Sequence, residues 1–250
     1  MNNMVTGRKG KHEIREDLFC PFCAESGMRP YDDKAISGKK RYGCLACKKR
    51  TTGPLYSKPQ ILPKAKLTEI KKHKFFVITQ AVNDTPVVSR AHETFKRIAE
   101  DNCGCYLIIP GVYRNPDLFH QGVQTTYSWP EEILPYICNA NVQLNKNIVI
   151  KGESRIKHTA INPLAGVAAS GNSQSEVYGH PQVAMEMVAT PKSTLPKMVH
   201  TTGTISEANY GNSILGQKAA FHHSISALIV EVEGDKFWTR EIHYDGDGVA

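Results

Sequence analysis

The chain has 250 residues, of which 40% are hydrophobic, and a formal net charge of +7. No apolar run reaches the roughly 18 residues that a membrane helix requires, and the start Met1-Asn2-Asn3-Met4 lacks the apolar core of a signal peptide. We therefore expect neither a membrane span nor secretion, and the predicted location is the cytoplasm, that of the host if the protein is viral.

The positive charge is concentrated at the N-terminal end of the chain. Residues 1–74 contain more than half of the 31 Lys and Arg residues but fewer than a third of the 24 Asp and Glu residues. The remaining residues 75–250 are therefore mildly acidic. A basic head on an acidic body indicates contact with nucleic acid, because each neutralised phosphate releases counterions. The alternative is charge that only keeps the head in solution.

Two C-x-x-C pairs lie in the basic head. Cys20 and Cys23 form the first pair, Cys44 and Cys47 form the second, and residues 24–43 separate them. Zinc takes four thiolates in a tetrahedron, and two such pairs joined by a hairpin supply them. A domain this small buries too little apolar surface to fold alone, so a structural Zn²⁺ would supply most of its folding free energy. The pattern predicts a zinc ribbon; the alternative is four unrelated cysteines.

Basic residues and a tyrosine surround the second cysteine pair. The predicted nucleic-acid contacts are Lys39, Lys40, Arg41, Tyr42, Lys48, Lys49 and Arg50. With its C-P-x-C pair and its later R-Y-x-C-x-x-C pair, the segment 18–52 resembles the zinc ribbons of transposases and of phage and transcription-associated DNA-binding proteins. That resemblance implies contact with nucleic acid through phosphates, with DNA favoured over RNA, and it does not imply transposition. Two alternatives stay open: a purely structural zinc site and a module that docks on proteins.

Composition divides the chain into four segments. Residues 1–17 are polar and contain glycine, which is typical of a flexible basic tail, and residues 18–52 form the predicted ribbon. Residues 53–74 contain three prolines followed by lysines, a composition that predicts a stiff linker. Residues 75–250 form the remaining predicted domain.

The domain over residues 75–250 opens with a βαβ pattern. Phe75-Phe76-Val77-Ile78-Thr79 is an apolar run typical of a strand buried on both faces. Apolar residues recur at helical spacing from Val88 to Ile98, and Cys105-Tyr106-Leu107-Ile108-Ile109 is a second buried strand. A βαβ unit favours a right-handed crossover and a parallel sheet. The predicted fold class is therefore α/β: a Rossmann-like, mostly parallel sheet with a small zinc ribbon at its N-terminal side.

Weaker patterns predict the elements after residue 110. They are a short helix from Trp129 to Ile137, a strand over residues 147–150, a strand over 183–187 that competes with a helix from Ser175, a strand at 197–199, and a β-hairpin over 225–232 and 237–242.

Polar residues gather where the predicted strands end. In open α/β sheets ligands bind beyond the carboxyl ends of the strands, and there the sequence places Gln80, Asn83, Asp84, Tyr113 and Arg114. Lys218, His222 and His223 precede the last hairpin and can converge with them. The stretch His200-Thr201-Thr202-Gly203-Thr204 offers hydroxyls and amides suited to a phosphate, with Arg114 or Lys218 as the charge. The candidate catalytic residues are His200, Thr201, Arg114 and His222. The alternative is an ordinary polar turn with a buried, hydrogen-bonded histidine.

Short peptides across residues 75–250 carry a second resemblance. Asn162-Pro163-Leu164-Ala165-Gly166, His200-Thr201-Thr202-Gly203-Thr204 and Ala220-Phe221-His222-His223 are similar to a region of uncharacterised proteins of tailed bacteriophages. In some of those proteins a calcineurin-like metallophosphoesterase domain follows, as in early phage proteins connected with the degradation of host DNA. The resemblance implies a phage relation, and the catalysis of such a following domain does not transfer to these residues.

Three functions are consistent with the sequence. The favoured one is a phage-type, zinc-ribbon nucleic-acid-binding protein that acts on or at DNA in early infection. The second is a nuclease-associated or nucleotide-processing enzyme domain with a site around His200, Arg114 and His222. The third is a zinc ribbon that docks on host transcription or repair proteins. Whether the body catalyses a reaction is left open.

Overall fold

A computed structural model describes the chain over residues 14–19, 26–34, 40–46, 48, 50–51, 67–120, 127–152, 156–168, 173–190 and 196–250. The chain divides into two compact units, Met1–Ile61 and Leu62–Ala250. The limits of the four predicted segments stay predictions. Among the helices of the described residues, none combines the length and the apolar character needed to cross a membrane.

The first unit contains a four-stranded antiparallel sheet. Its strands are β1 (Arg15–Phe19), β2 (Ser26–Lys34), β3 (Lys40–Cys44) and β4 (Arg50–Thr51), and they lie in the order β1-β2-β3-β4. Side chains alternate between the two faces of a strand. One face carries a small buried cluster of Leu18, Met28 and Cys44, with Tyr42 packed against it.

The second unit contains nine strands, four α-helices and one 3-10 helix within its described residues. In chain order the elements are α1 (Leu67–Ile70), β5 (Phe75–Val82), α2 (Ser89–Asp101), β6 (Cys105–Gly111), α3 (Pro116–His120), the 3-10 helix (Glu131–Tyr136), β7 (Val142–Asn145), β8 (Ile148–Lys151), β9 (Ser175–Tyr178), β10 (Met185–Val188), β11 (Lys197–Thr201), α4 (Ile214–Phe221), β12 (Ser226–Glu233) and β13 (Lys236–His243).

Strand β5 lies at the centre of the core of the second unit. It belongs to a four-stranded sheet of order β13-β12-β5-β6, in which β5 and β6 are parallel and the other neighbours are antiparallel. Val77 on one face of β5 joins a buried cluster with Phe95 of α2. Phe76 and Ile78 on the other face join a second buried cluster. Burial on both faces explains why the sequence of β5 is continuously apolar.

A second sheet of five strands packs against the first. Its order is β10-β11-β9-β8-β7, with β8, β9 and β11 parallel and the two edge strands antiparallel. Ile148 and Ile150 of β8 and Val177 of β9 share one buried cluster with Phe76 and Leu228 of the first sheet. The second unit is therefore built mainly from two mixed sheets with an apolar layer between them.

The predicted Rossmann-like, mostly parallel α/β fold is wrong. The βαβ unit of β5, α2 and β6 is present and parallel, but β12 occupies the other edge of β5 and runs antiparallel to it. The parallel strands β8, β9 and β11 belong to the other sheet, and the chain between them is not helical over its described residues. A doubly wound fold requires helices over both faces of one parallel sheet, whereas here a second sheet covers one of those faces.

Candidate functional site

One face of the N-terminal sheet combines a tyrosine with arginines. Arg29 of β2 pairs with Gly43 of β3, and Gly43 pairs with Arg50 of β4, so these three residues form a row across the sheet. Directly opposed residues point to the same face, and so do residues two apart on a strand. Tyr31 and Arg41 therefore share the face with Arg29 and Arg50. We call Arg29, Tyr31, Arg41 and Arg50 the arginine–tyrosine face.

The ring of Tyr31 lies over Gly43. A Cβ atom on Gly43 would come within 2.5 Å of Cε2 of Tyr31, so any larger residue there would displace the ring. The guanidinium carbon of Arg50 is 4.5 Å from the centroid of the Tyr31 ring, which is a cation–π contact. Arg29 and Arg50 are exposed and Tyr31 is half-buried. The face thus presents a tyrosine ring with the guanidinium of Arg50 over it, and Arg29 lies in the same row of the sheet.

The tyrosine that the sequence emphasised lies on the opposite face. Tyr42 packs against Leu18, Met28 and Cys44, whereas Tyr31 lies on the face with Arg29 and Arg50. The strand alternation that separates the two could be deduced only once the extent of β2 and β3 was known. Lys48 is exposed, and Lys39 and Lys49 lie outside the described residues.

The predicted zinc site stays a prediction. Cys44 is buried at the end of β3, and the other predicted ligands, Cys20, Cys23 and Cys47, lie outside the described residues. Within the part of the chain that the structure describes, no three or more His, Cys, Asp or Glu side chains are grouped to hold a metal ion.

The four candidate catalytic residues make separate contacts. His200 is buried in β11 with Nε2 3.3 Å from Oγ1 of Thr239, and burial lowers its pKa to about 4. The hydroxyl of Thr201 donates to the carbonyl oxygen of Gln182 at 2.7 Å and thereby holds the chain beside β11. His222 is exposed at the end of α4, and Arg114 is exposed just beyond β6. These contacts suit packing for His200 and Thr201, and the catalytic assignment of all four residues stays a prediction.

A different set of polar side chains does come together, beyond the carboxyl ends of the parallel strands β5 and β6. We call it the polar cluster, and its members are Gln80, Tyr113, His158, His180, Tyr210 and His223. Gly111, the last residue of β6, leaves the space that two of them use. A Cβ atom there would lie 2.3 Å from Nε2 of Gln80 and 2.6 Å from Nε2 of His158.

Two histidines of the polar cluster are neutral and fully hydrogen-bonded. Nε2 of His223 donates to the carbonyl oxygen of Ser206 at 2.8 Å, so Nδ1 accepts from the hydroxyl of Tyr210 at 2.9 Å. Nε2 of His180 donates to the carbonyl oxygen of Lys157 at 3.1 Å, and Nδ1 accepts from the backbone N–H of Gln182. Burial lowers the pKa of both histidines and raises the pKa of Tyr210. The tautomers of His180 and His223 are therefore fixed by their neighbours.

The third histidine and the glutamine are incompletely paired. Gln80 and His158 are 2% and 6% exposed, and their Nε2 atoms are 3.2 Å apart. Within the described part of the chain, Oε1 of Gln80 and Nδ1 of His158 have no hydrogen-bond partner. Burial, and then the neighbouring His180 and His223, lower the pKa of His158 to about 3. The cluster therefore holds a neutral imidazole and an amide with unused hydrogen-bonding capacity.

Asn83 and Asp84 fix the backbone of neighbouring segments through side-chain hydrogen bonds. The side-chain oxygen of Asn83 accepts from the backbone N–H of Tyr113 at 2.6 Å and so fixes the chain after β6. The carboxylate of Asp84, whose φ is 50°, accepts from the backbone N–H groups of Tyr127 and Ser128. Both residues were predicted at a ligand site, and their contacts give them positioning roles.

Sequence reasoning placed three members of the polar cluster near one another and missed the other three, His158, His180 and Tyr210. Gln80 and Tyr113 were predicted at the ends of strands, and His223 was predicted just before the last hairpin. His158 and His180 lie in irregular segments on either side of β9, and no local pattern marks them. The signal that could have drawn attention to them is their residue type, because imidazole is a frequent ligand and acid–base group.

Comparison with known proteins relates the chain to a bacteriophage. No family model matches the chain, and no solved structure matches it. Protein A1 of Escherichia phage T5 is 30% identical over a match of 191 residues, and the match covers 72% of this chain and 34% of the phage protein. The chain thus spans about a third of the length of that relative. The chain is therefore similar to a phage protein, as the peptides of its second unit predicted.

Proposed function

We propose that this chain is a phage nucleic-acid-binding protein and that its N-terminal unit contacts DNA through the arginine–tyrosine face. The observation that carries the proposal is the guanidinium of Arg50 lying 4.5 Å from the ring centroid of Tyr31, with Arg29 in the same row of the sheet. The basic composition of residues 1–74 supports it.

The chemistry of this face matches that of a nucleic-acid strand. Guanidinium groups form paired hydrogen bonds with phosphate oxygens, and each neutralised phosphate releases counterions. An aromatic ring stacks on a base irrespective of its sequence, which contributes about 1–3 kcal/mol per base. The row of Arg29, Gly43 and Arg50 places both kinds of group on one surface. Because neither contact depends on the edge of a base, we expect binding with little sequence preference.

A structural zinc ion is part of the same proposal. Cys44 lies on the face of the sheet opposite to Tyr31, within the small cluster of Leu18 and Met28. A metal held there by Cys20, Cys23, Cys44 and Cys47 would stabilise the sheet without occupying the arginine–tyrosine face. We place the protein at DNA in the host cytoplasm during early infection.

Replacing Tyr31 by leucine tests the proposal. We expect Tyr31→Leu to weaken binding of single-stranded DNA about tenfold or more, because a stacked ring is lost while the apolar bulk is kept. The matched control is Tyr42→Leu on the opposite face, which should bind as the wild type does. Fluorescence anisotropy of a labelled oligonucleotide measures both. Equal affinities of the wild type and Tyr31→Leu would contradict the proposal.

A further inference from the structure

We propose that the second unit binds a nucleobase in the polar cluster, with its hydrogen-bonding edge on Gln80 and His158 and its ring beside Tyr113 and Tyr210. The ligand class is an uncharged, planar heterocycle that presents a hydrogen-bond donor next to an acceptor. This site is separate from the arginine–tyrosine face and does not depend on it.

Two side chains of the polar cluster carry a buried atom with unused hydrogen-bonding capacity. Oε1 of Gln80 and Nδ1 of His158 belong to side chains that are 2% and 6% exposed, and neither atom has a partner within the described residues. Buried polar atoms in native proteins nearly always have a hydrogen-bond partner, and an exception calls for a ligand or an ordered water molecule. A third such atom, Nδ1 of His200, belongs to β11. The two on the neighbouring side chains of Gln80 and His158 point to a shared ligand.

Gln80 and His158 together offer a specific hydrogen-bonding pattern to a ligand. If the amide N–H of Gln80 donates to Nε2 of His158, the open atoms are an acceptor on Gln80 and a donor on His158. If the amide is turned over, the open atoms are a donor on Gln80 and an acceptor on His158. Either way the pair offers one donor and one acceptor. Base edges carry the complementary pattern, and a glutamine amide suits the N6/N7 edge of adenine.

The six side chains of the polar cluster are uncharged. His180 and His223 are neutral and use both of their ring nitrogens, and burial keeps His158 neutral as well. A phosphate or a carboxylate would find no opposing charge among the six side chains of the polar cluster, so an uncharged ligand fits better. The chemistry of the cluster is that of a base and not of a phosphate.

Two tyrosines of the polar cluster contribute flat rings, and one of them lines a surface cavity. The ring of Tyr113 lies with its centroid 5.9 Å from that of His158 and 5.5 Å from that of Tyr210, and both tyrosines are half-buried. Tyr210 also lines a surface cavity of about 160 Å³ together with Asn212 and Gln217. Flat rings at the boundary between a buried polar pair and the surface favour a flat ligand.

Nucleoside binding by the full-length protein tests the proposal. Adenosine, guanosine, cytidine and thymidine, which lack phosphate, would each be titrated in an isothermal calorimeter. We expect at least one to bind, and Gln80→Leu to weaken it about tenfold or more, since each lost hydrogen bond to a polar ligand costs about that factor. The control is Gln143→Leu on the exposed side of β7, which should bind as the wild type does.

Two further measurements separate the site from folding and from the N-terminal sheet. Gln80→Leu leaves Nε2 of His158 without its partner, so we expect a lower Tm in a protein that is still folded at the assay temperature. If it unfolds instead, Tyr113→Leu takes its place as the binding variant. Binding should persist in Tyr31→Leu. The proposal is overturned if none of the four nucleosides binds, in which case water satisfies the two atoms, or if binding is unchanged in Gln80→Leu or Tyr113→Leu.

Discussion

Acidification from about pH 7 to about pH 4.5 is expected to destabilise the second unit steeply. His158 and His200 are buried, and burial lowers their pKa values to about 3 and about 4. In the unfolded chain each histidine takes up a proton near pH 6.5. The unfolded state therefore binds more protons than the folded state across this range. As the pH is lowered, each of these two histidines therefore decreases the free energy of unfolding by on the order of 1 kcal/mol per pH unit.

Urea unfolding followed by circular dichroism at several pH values measures this dependence. His200→Gln removes one of the buried histidines with a lowered pKa and keeps a partner for Thr239, so the slope should decrease. His222→Gln at an exposed position is the control variant. A free energy of unfolding that stays constant between about pH 6.5 and pH 4.5 would show that these histidines are accessible to protons in the folded state.

Truncating Phe95 to alanine should cost about 3–5 kcal/mol of the free energy of unfolding of the second unit. Phe95 is fully buried in α2 and lies in the cluster with Val77 of β5 and Ile108 of β6. The substitution removes apolar contacts and leaves a cavity that strands on the other side cannot fill, because β5 is held on both of its edges. Urea unfolding at neutral pH measures the difference.

Phe221 provides a matched control for the same substitution. It ends α4 and is 84% exposed, so Phe221→Ala should change the free energy of unfolding by less than about 0.5 kcal/mol. Equal losses from Phe95→Ala and Phe221→Ala would mean that α2 does not form the core contact described above.

Local patterns predicted those elements whose partners are close in sequence. The βαβ unit was predicted over residues 75–109 and is present as β5, α2 and β6 with parallel pairing. The hairpin was predicted over residues 225–242 and is present as β12 and β13. In both cases a continuous apolar run, a helical period or a short turn determines the pairing without information from distant residues.

The fold class could not be predicted because strand partners far apart carry no local signal. β12 pairs antiparallel with β5 although most of the second unit separates them in sequence. Ser175 begins β9, where the sequence also allowed a helix. Asn83 and Asp84 precede α2, but Val88 occupies the cap position of that helix and no side chain caps there. Their side chains bind the backbone of distant segments instead.

Salt dependence of DNA binding tests the central claim most directly, namely that arginines of the N-terminal sheet bind phosphates. Binding of single-stranded DNA would be measured at several salt concentrations for the wild type and for the Arg29→Gln/Arg50→Gln double variant. We predict that affinity falls with salt and that the slope of log Kobs against log salt is smaller by about 1.4 in the variant, since each phosphate contact contributes about 0.7. The same slope in both proteins, or a wild-type affinity that does not change with salt, would contradict the claim and favour docking on a protein.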